Sequence, residues 1–81
     1  MGQTESKEFV LTGHSGSVRS LCMVSAGVLA SGSSDDTVRL WDLRTGATTR
    51  TLTGHSNTVY SLCMVSAGVL ASGSYDNTVR L

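Results

Sequence analysis

Short apolar runs alternate with polar, glycine-bearing breaks along most of the chain. Residues 18–23 (VRSLCM), 28–31 (VLAS), 37–41 (TVRLW) and 48–52 (TTRTL) are rich in Val, Leu and Thr, and turn-forming residues bound each run. The breaks read Ser25-Ala26-Gly27, Ser33-Ser34-Asp35-Asp36, Arg44-Thr45-Gly46 and Thr53-Gly54-His55-Ser56-Asn57. No segment keeps apolar residues at i, i+3, i+4 and i+7, so the pattern predicts strands rather than helices. Connections this short predict antiparallel neighbours. Alternation places Leu21 and Met23 opposite Val18 and Cys22, which makes the first strand apolar on both faces and calls for a sheet on each side.

The pattern repeats. Residues 11–40 recur as residues 52–81, displaced by 41 positions with 25 of 30 identical. A period near 40 points to a solenoid, a propeller or a helical array, and four short strands per period speak against the helical one. The five differences are Gly16/Asn57, Ser17/Thr58, Arg19/Tyr60, Ser34/Tyr75 and Asp36/Asn77. In a meander, the loop entering the first strand and the loop joining the second to the third lie at one end, so these changes gather on one rim. Asp36 and Asn77 follow an aspartate in a turn and suit left-handed backbone without any ligand.

Composition narrows the function classes. Six basic and six acidic residues leave no net charge, and 40% of the 81 residues are hydrophobic. That is too apolar for a disordered chain and lacks the basic excess of a nucleic-acid or acidic-membrane binder. No run approaches the roughly 18 apolar residues of a membrane-spanning helix. Residues 1–8 form a polar tail without the apolar centre of a signal peptide. Gly2 and Ser6 match a myristoylation pattern, although one acyl chain would anchor only marginally. A chain of this size buries roughly 60% of its unfolded surface, so a staple, a metal or partner chains are expected to complete it.

Gly13-His14, Ser31, Asp35 and Trp41-Asp42 occur in order, and Gly54-His55, Ser72 and Asp76 repeat them. With these motifs the chain resembles the WD-repeat β-propellers over residues 9–81. The resemblance implies an all-β fold of propeller blades, each a four-stranded antiparallel meander, with two blades per chain. Residues 18–52 would form a complete blade and 59–81 an incomplete one, while 9–11 would supply the outer strand of a neighbouring chain's blade. The loop Val24-Ser25-Ala26-Gly27 departs from the commoner family turn, which bears on turn geometry rather than on the fold.

The same resemblance assigns residues. His14, Ser31, Asp35 and Trp41 would form a structural hydrogen-bond network, as would His55, Ser72 and Asp76. Positions resembling Ser17, Arg19, Ser34, Thr58, Tyr60 and Tyr75 lie on the family's top face, where protein or peptide partners dock. His, Ser and Asp are also the residue types of a hydrolase triad, but no nucleophile-elbow pattern surrounds Ser31. Cys22 and Cys63 lie eight residues after His14 and His55, a spacing unlike zinc ligands. No metal or other cofactor is expected. Equivalent points on stacked sheets are about 10 Å apart, so the two thiols should stay free, which suits a reducing cytoplasm.

Because a propeller closes with four to eight blades, two blades are expected to assemble with copies of themselves. Phe9, Val10 and Leu11 of one chain would pair beside Thr78, Val79, Arg80 and Leu81 of the next. Such a head-to-tail contact must close into a ring or grow into a filament. The expected ring is an eight-bladed tetramer, with a six-bladed trimer second. The expected function is a non-enzymatic interaction scaffold. Its alternatives are a structural fragment that only self-assembles, and a hydrolase using His, Ser and Asp.

Overall fold

The computed structural model describes residues 10–81, which form seven strands and no helix among those described. The strands are β1 (Val18–Ser25), β2 (Val28–Ser33), β3 (Val38–Asp42), β4 (Ala47–Leu52), β5 (Val59–Ser66), β6 (Val69–Ser74) and β7 (Val79–Arg80). They pair in sequence order into two antiparallel meanders, β1-β2-β3-β4 and β5-β6-β7. Four strands and three strands follow directly from where the second copy of the pattern stops at Leu81.

Turn chemistry sets the strand ends. Ala26-Gly27 reverses the chain between β1 and β2, and Gly27 takes φ +79°, a conformation that costs a side chain about 1 kcal/mol or more. The loop that departs from the family turn is thus a tight hairpin that rests on its glycine. Between β2 and β3, Asp36 takes φ +75°, and Asn77 takes φ +71° at the matching place, as their residue types allow.

A bulge corrects one expectation from the sequence. Pairing shifts register between Val18 and Ser20 in β1 and between Val59 and Ser61 in β5. The extra residue turns the start of each strand over. Strict alternation groups Val18 with Cys22 and separates it from Leu21, whereas the bulge returns Val59 to the side of Leu62. Val59 is wholly buried, and Leu62 packs against the cluster that Val59 forms with Ala30 and Val38.

That cluster is the core, and it lies between the two sheets. Val24, Leu40, Leu52, Leu62 and Leu70 pack around it. β5 stacks against β1 and β2, so one sheet presents its Val59 and Leu62 side to the Ala30 and Val24 side of the other. Burying a side chain such as Val59 stabilises by roughly 1.5–3 kcal/mol. The outer faces have no such cover: Val18 is 52% exposed, Leu21 61% and Met23 50% on one side, and Val65 is 60% exposed on the other.

Candidate functional site

The polar residues singled out by the motifs converge at one end of each sheet. In the first, His14 Nδ1 lies 2.8 Å from Asp35 Oδ2 and His14 Nε2 lies 2.6 Å from Ser31 Oγ. A carboxylate only accepts, so Nδ1 carries the proton and Nε2 accepts from the Ser31 hydroxyl. The oxygen of Ser31 then accepts the Trp41 indole N–H at 2.7 Å. The His14 ring also meets Trp41 edge-on, with centroids 6.1 Å apart. Trp41 and Ser31 are each 2% exposed, so the chain of hydrogen bonds is shielded from water and ties the entering loop, β2 and β3 together.

The second sheet repeats the geometry. His55 Nδ1 stands 2.9 Å from Asp76 Oδ2, and Nε2 stands 2.8 Å from Ser72 Oγ. Trp41 serves the first sheet, and among the described residues Ser72 Oγ is bonded to His55 alone.

Each aspartate is the hub of its loop. Asp35 accepts from the backbone N–H of Ser15 at 3.0 Å and of Thr37 at 2.9 Å, and from the Thr37 hydroxyl. Burial pushes the Asp35 carboxyl up, but the Thr37, His14 and Ser15 hydrogen bonds outweigh it and hold the group well below the usual carboxylate range. For Asp76 the Thr78 hydroxyl is the largest cause, and with Ser56 and His55 it overcomes burial in the same direction. Thr37 and Thr78 therefore belong to the networks, and motif reading missed them. Their signal was present as Asp-x-Thr, since an aspartate in a turn commonly bonds the backbone N–H two residues on. Ser33 and Ser74 were missed too. Their hydroxyls accept from the Asp35 and Asp76 backbone N–H at 3.0 and 3.1 Å.

The Asp35–His14–Ser31 order has the distances of a hydrolytic triad, but its setting does not suit one. Ser31 is buried beneath Trp41 and already accepts the indole N–H, so an acyl carbon has no approach to its oxygen. Cys22 and Cys63 are free thiols, each pointing to the carbonyl of the residue that follows it.

The rim residues divide into two interlocked sets. In the first sheet, Ser17 N donates to Ser34 Oγ at 2.8 Å and Ser34 N donates back to the Ser17 carbonyl at 2.9 Å. A side chain on Gly16 would meet that same Ser34 oxygen at 2.5 Å. In the second sheet, Tyr75 N still donates to the Thr58 carbonyl at 3.1 Å, but the phenol ring stacks on Tyr60 with centroids 4.6 Å apart. Asn57 stands at the place of Gly16, and its Oδ1 accepts from Thr58 N at 2.7 Å. The differences at 16 and 34 thus share one space, and those at 60 and 75 share a ring contact. Arg19 is exposed, and Tyr60 and Tyr75 are 46% and 65% exposed.

Of the residues expected to exchange strands, Phe9 lies outside the described residues. Val10 and Leu11 are outside any strand, with Val10 74% exposed and Leu11 reaching toward Gly46. Val79 and Arg80 form β7 on the outer edge of the second sheet, flanked by Thr78 and an 83% exposed Leu81.

Comparison with known proteins matches both repeats to one family. The family described as "WD domain, G-beta repeat" matches residues 5–42 and 46–81. The chain is 47% identical over 45 residues to Cell division control protein 4 of Saccharomyces cerevisiae, covering 53% of this chain and 6% of that protein. It is 55% identical over 42 residues to Cross-pathway control WD-repeat protein 2 of Flammulina velutipes, covering 51% of this chain and 13% of that protein. The chain therefore spans a small part of the curated relatives it matches. Among solved structures, the computationally designed Ika8 protein superposes with a TM-score of 0.77 at 33% identity, covering 86% of this chain and 21% of that one. The family model covers both repeats, and the chain belongs to the WD-repeat family.

Proposed function

We propose that this chain is a non-enzymatic protein-interaction scaffold whose two blades join head to tail with further copies to close a propeller. WD repeats suggest a scaffold in general. One observation supports the particular form: each outer face reproduces one half of the interface already buried between the blades. Val18, Leu21 and Met23 are exposed on the first sheet, and their counterparts 41 residues on are Val59, Leu62 and Met64, of which Val59 is wholly buried. On the second sheet Ser61, Cys63 and Val65 face outward, matching the half-buried Ser20, Cys22 and Val24.

The two faces are complementary because the sequence has already packed copies of them together. A second chain offering Val18, Leu21 and Met23 to Ser61, Cys63 and Val65 would bury large apolar side chains that a solitary chain leaves in water. The contact is heterologous, so closure requires a ring, and the favoured ring has four chains and eight blades, with three chains and six blades second. Residues 9–11 would then pair along the Thr78 to Leu81 edge of the neighbour. The Tyr60 and Tyr75 pair, with Arg19, would face a protein or peptide on the rim, since Tyr and Arg are enriched at interface centres. Free Cys22 and Cys63 suit a reducing, cytoplasmic setting.

Light scattering during gel filtration tests this reading. The intact chain should elute as a discrete oligomer, and Leu21→Asp with Met23→Asp should release monomer by placing charge on one outer face. An intact chain that elutes as a folded monomer contradicts it.

A further inference from the structure

The rims of the two blades differ in what they offer a partner. Where the first blade carries Arg19, Ser34 and Asp36, the second carries Tyr60, Tyr75 and Asn77, so one charge of each sign gives way to a phenol and a carboxamide, and a second phenol is added. The phenol rings stack with centroids 4.6 Å apart and planes 31° apart, and both side chains are exposed. Asp76 is the only charged residue between Asn57 and Asn77, and both of its oxygens are spent inside the blade. Oδ2 takes His55 and the Ser56 N–H, while Oδ1 takes the hydroxyl and the N–H of Thr78. The neighbouring carbonyls are engaged as well: Thr58 accepts the Tyr75 N–H, and Asn57 accepts the Ser74 hydroxyl, each at 3.1 Å. The side chain of Asn57 accepts the Thr58 N–H through Oδ1, which leaves its NH2 group to donate.

We propose that the Tyr60 and Tyr75 pair docks a proline-rich segment in the polyproline II conformation, an inference that rests on the reading of the rim as a peptide-binding surface. A charged peptide meets no free counter-ion here, because the one carboxylate is already bonded at both oxygens. The patch offers instead aromatic surface edged by donors, namely the two phenol hydroxyls and the Asn57 NH2 group. Proline is the complement of such a surface. It has no backbone N–H, so it brings no donor for which the engaged carboxylate and carbonyls would have to provide, and its carbonyl accepts. Its apolar ring packs on an aromatic face, the contact by which aromatic-lined surfaces recurrently take proline-rich segments. Polyproline II also exists before binding and keeps its backbone free of internal hydrogen bonds, so little is ordered on docking. The first blade lacks this chemistry: Arg19 and Asp36 put charge at the matching places, and the Ser34 hydroxyl oxygen accepts from Ser17 N. Asn57, Tyr60 and Tyr75 all belong to the second blade, so the site is the same in a single chain and in an assembly.

Calorimetric titration of the intact protein with a decaproline peptide tests the site, beside a peptide of equal length that alternates Thr and Val and so carries backbone donors. Decaproline should bind saturably at one per chain and shift the ring-proton NMR resonances of Tyr60 and Tyr75. Tyr60→Arg with Tyr75→Ser installs the residues that the first blade already accommodates, and should weaken decaproline binding about tenfold or more, as for loss of an aromatic anchor. An unchanged far-ultraviolet spectrum of that variant shows that the loss is not one of folding. Equal or tighter binding of the Thr-Val peptide overturns the polyproline assignment and leaves the rim as a surface for another extended peptide. Binding of neither peptide overturns the assignment and the rim reading together. Decaproline binding that is undiminished in the double variant, or that leaves the tyrosine resonances unmoved, overturns the proposal by placing the contact elsewhere.

Discussion

Val59 occupies the space that any side chain on Gly32 would need. A Cβ on Gly32 would lie 2.7 Å from Val59 Cγ1 and 2.7 Å from Ser20 Oγ, closer than such atoms approach. Glycine near the end of β2 is thus the socket for the wholly buried valine of the next blade. At Gly73, the counterpart in β6, a Cβ would meet Ser61 Oγ at 2.8 Å and nothing else within 4 Å.

The two glycines should therefore respond differently to substitution. Gly32→Ala should lower stability by about 1–3 kcal/mol through overpacking of the blade interface, read as a fall in Tm. Gly73→Ala should cost less in chain stability, because the serine hydroxyl can rotate away. It should nevertheless weaken assembly if Val18 of a second copy seats there. Equal loss of stability in both variants would count against the socket.

The valines make the reciprocal test. Val59→Ala removes a fully buried side chain and should cost about 2 kcal/mol in urea unfolding. Val18→Ala alters a side chain that is 52% exposed, and should change stability of the separate chain by less than about 0.5 kcal/mol. Its effect should appear as a higher concentration required for assembly.

Trp41→Ala should destabilise by about 3 kcal/mol or more, combining a lost indole with the loss of the donor that Ser31 Oγ accepts from. Trp41→Phe keeps much of the apolar volume but not the N–H, and should recover part of the loss. A Tm unchanged in Trp41→Ala would contradict the packing seen around this ring.

Acid should loosen both loops. Asp35 and Asp76 are held well below the usual carboxylate range, so the folded chain releases their protons more readily than the unfolded chain. Their contribution is complete above the ordinary aspartate value of about 3.9 and is lost as pH falls through the depressed folded values. Tm should decline on acidification below about pH 4. Asp35→Asn should have a lower Tm at pH 7 and a shallower acid decline, and a parallel decline in variant and parent would contradict this.

The coupled rim differences invite a double-mutant cycle. Gly16→Asn alone should destabilise the first blade, because its Cβ meets Ser34 Oγ at 2.5 Å and the Asp35 backbone nitrogen at 2.9 Å. Adding Ser34→Tyr and Arg19→Tyr, the residues of the second blade, should restore part of the loss, by about 1 kcal/mol. Strictly additive changes would show that the rim residues vary independently.

Much of this architecture is legible in the chain because its determinants are local. The breaks at Ala26-Gly27 and Asp35-Asp36 mark the turns by residue type alone, and the 41-residue repeat makes each assignment twice. The His14, Ser31 and Trp41 connection comes from resemblance, since nothing in spacing shows that residues 17 and 10 positions apart share hydrogen bonds. The bulges are not legible: alternation assumes one residue per step, and an inserted residue at Arg19 or Tyr60 carries no compositional mark. The Tyr60 and Tyr75 stack escapes for a related reason, as it joins the start of β5 to the loop after β6, whose approach depends on the completed sheet.

Native mass spectrometry of the purified 8.5 kDa chain tests the central claim most directly, because the complementary outer faces must meet in another copy. The expected result is a single closed species of four chains, with three chains as the second possibility, and no ladder of larger masses. A folded monomer, or an open series growing with concentration, would contradict head-to-tail closure.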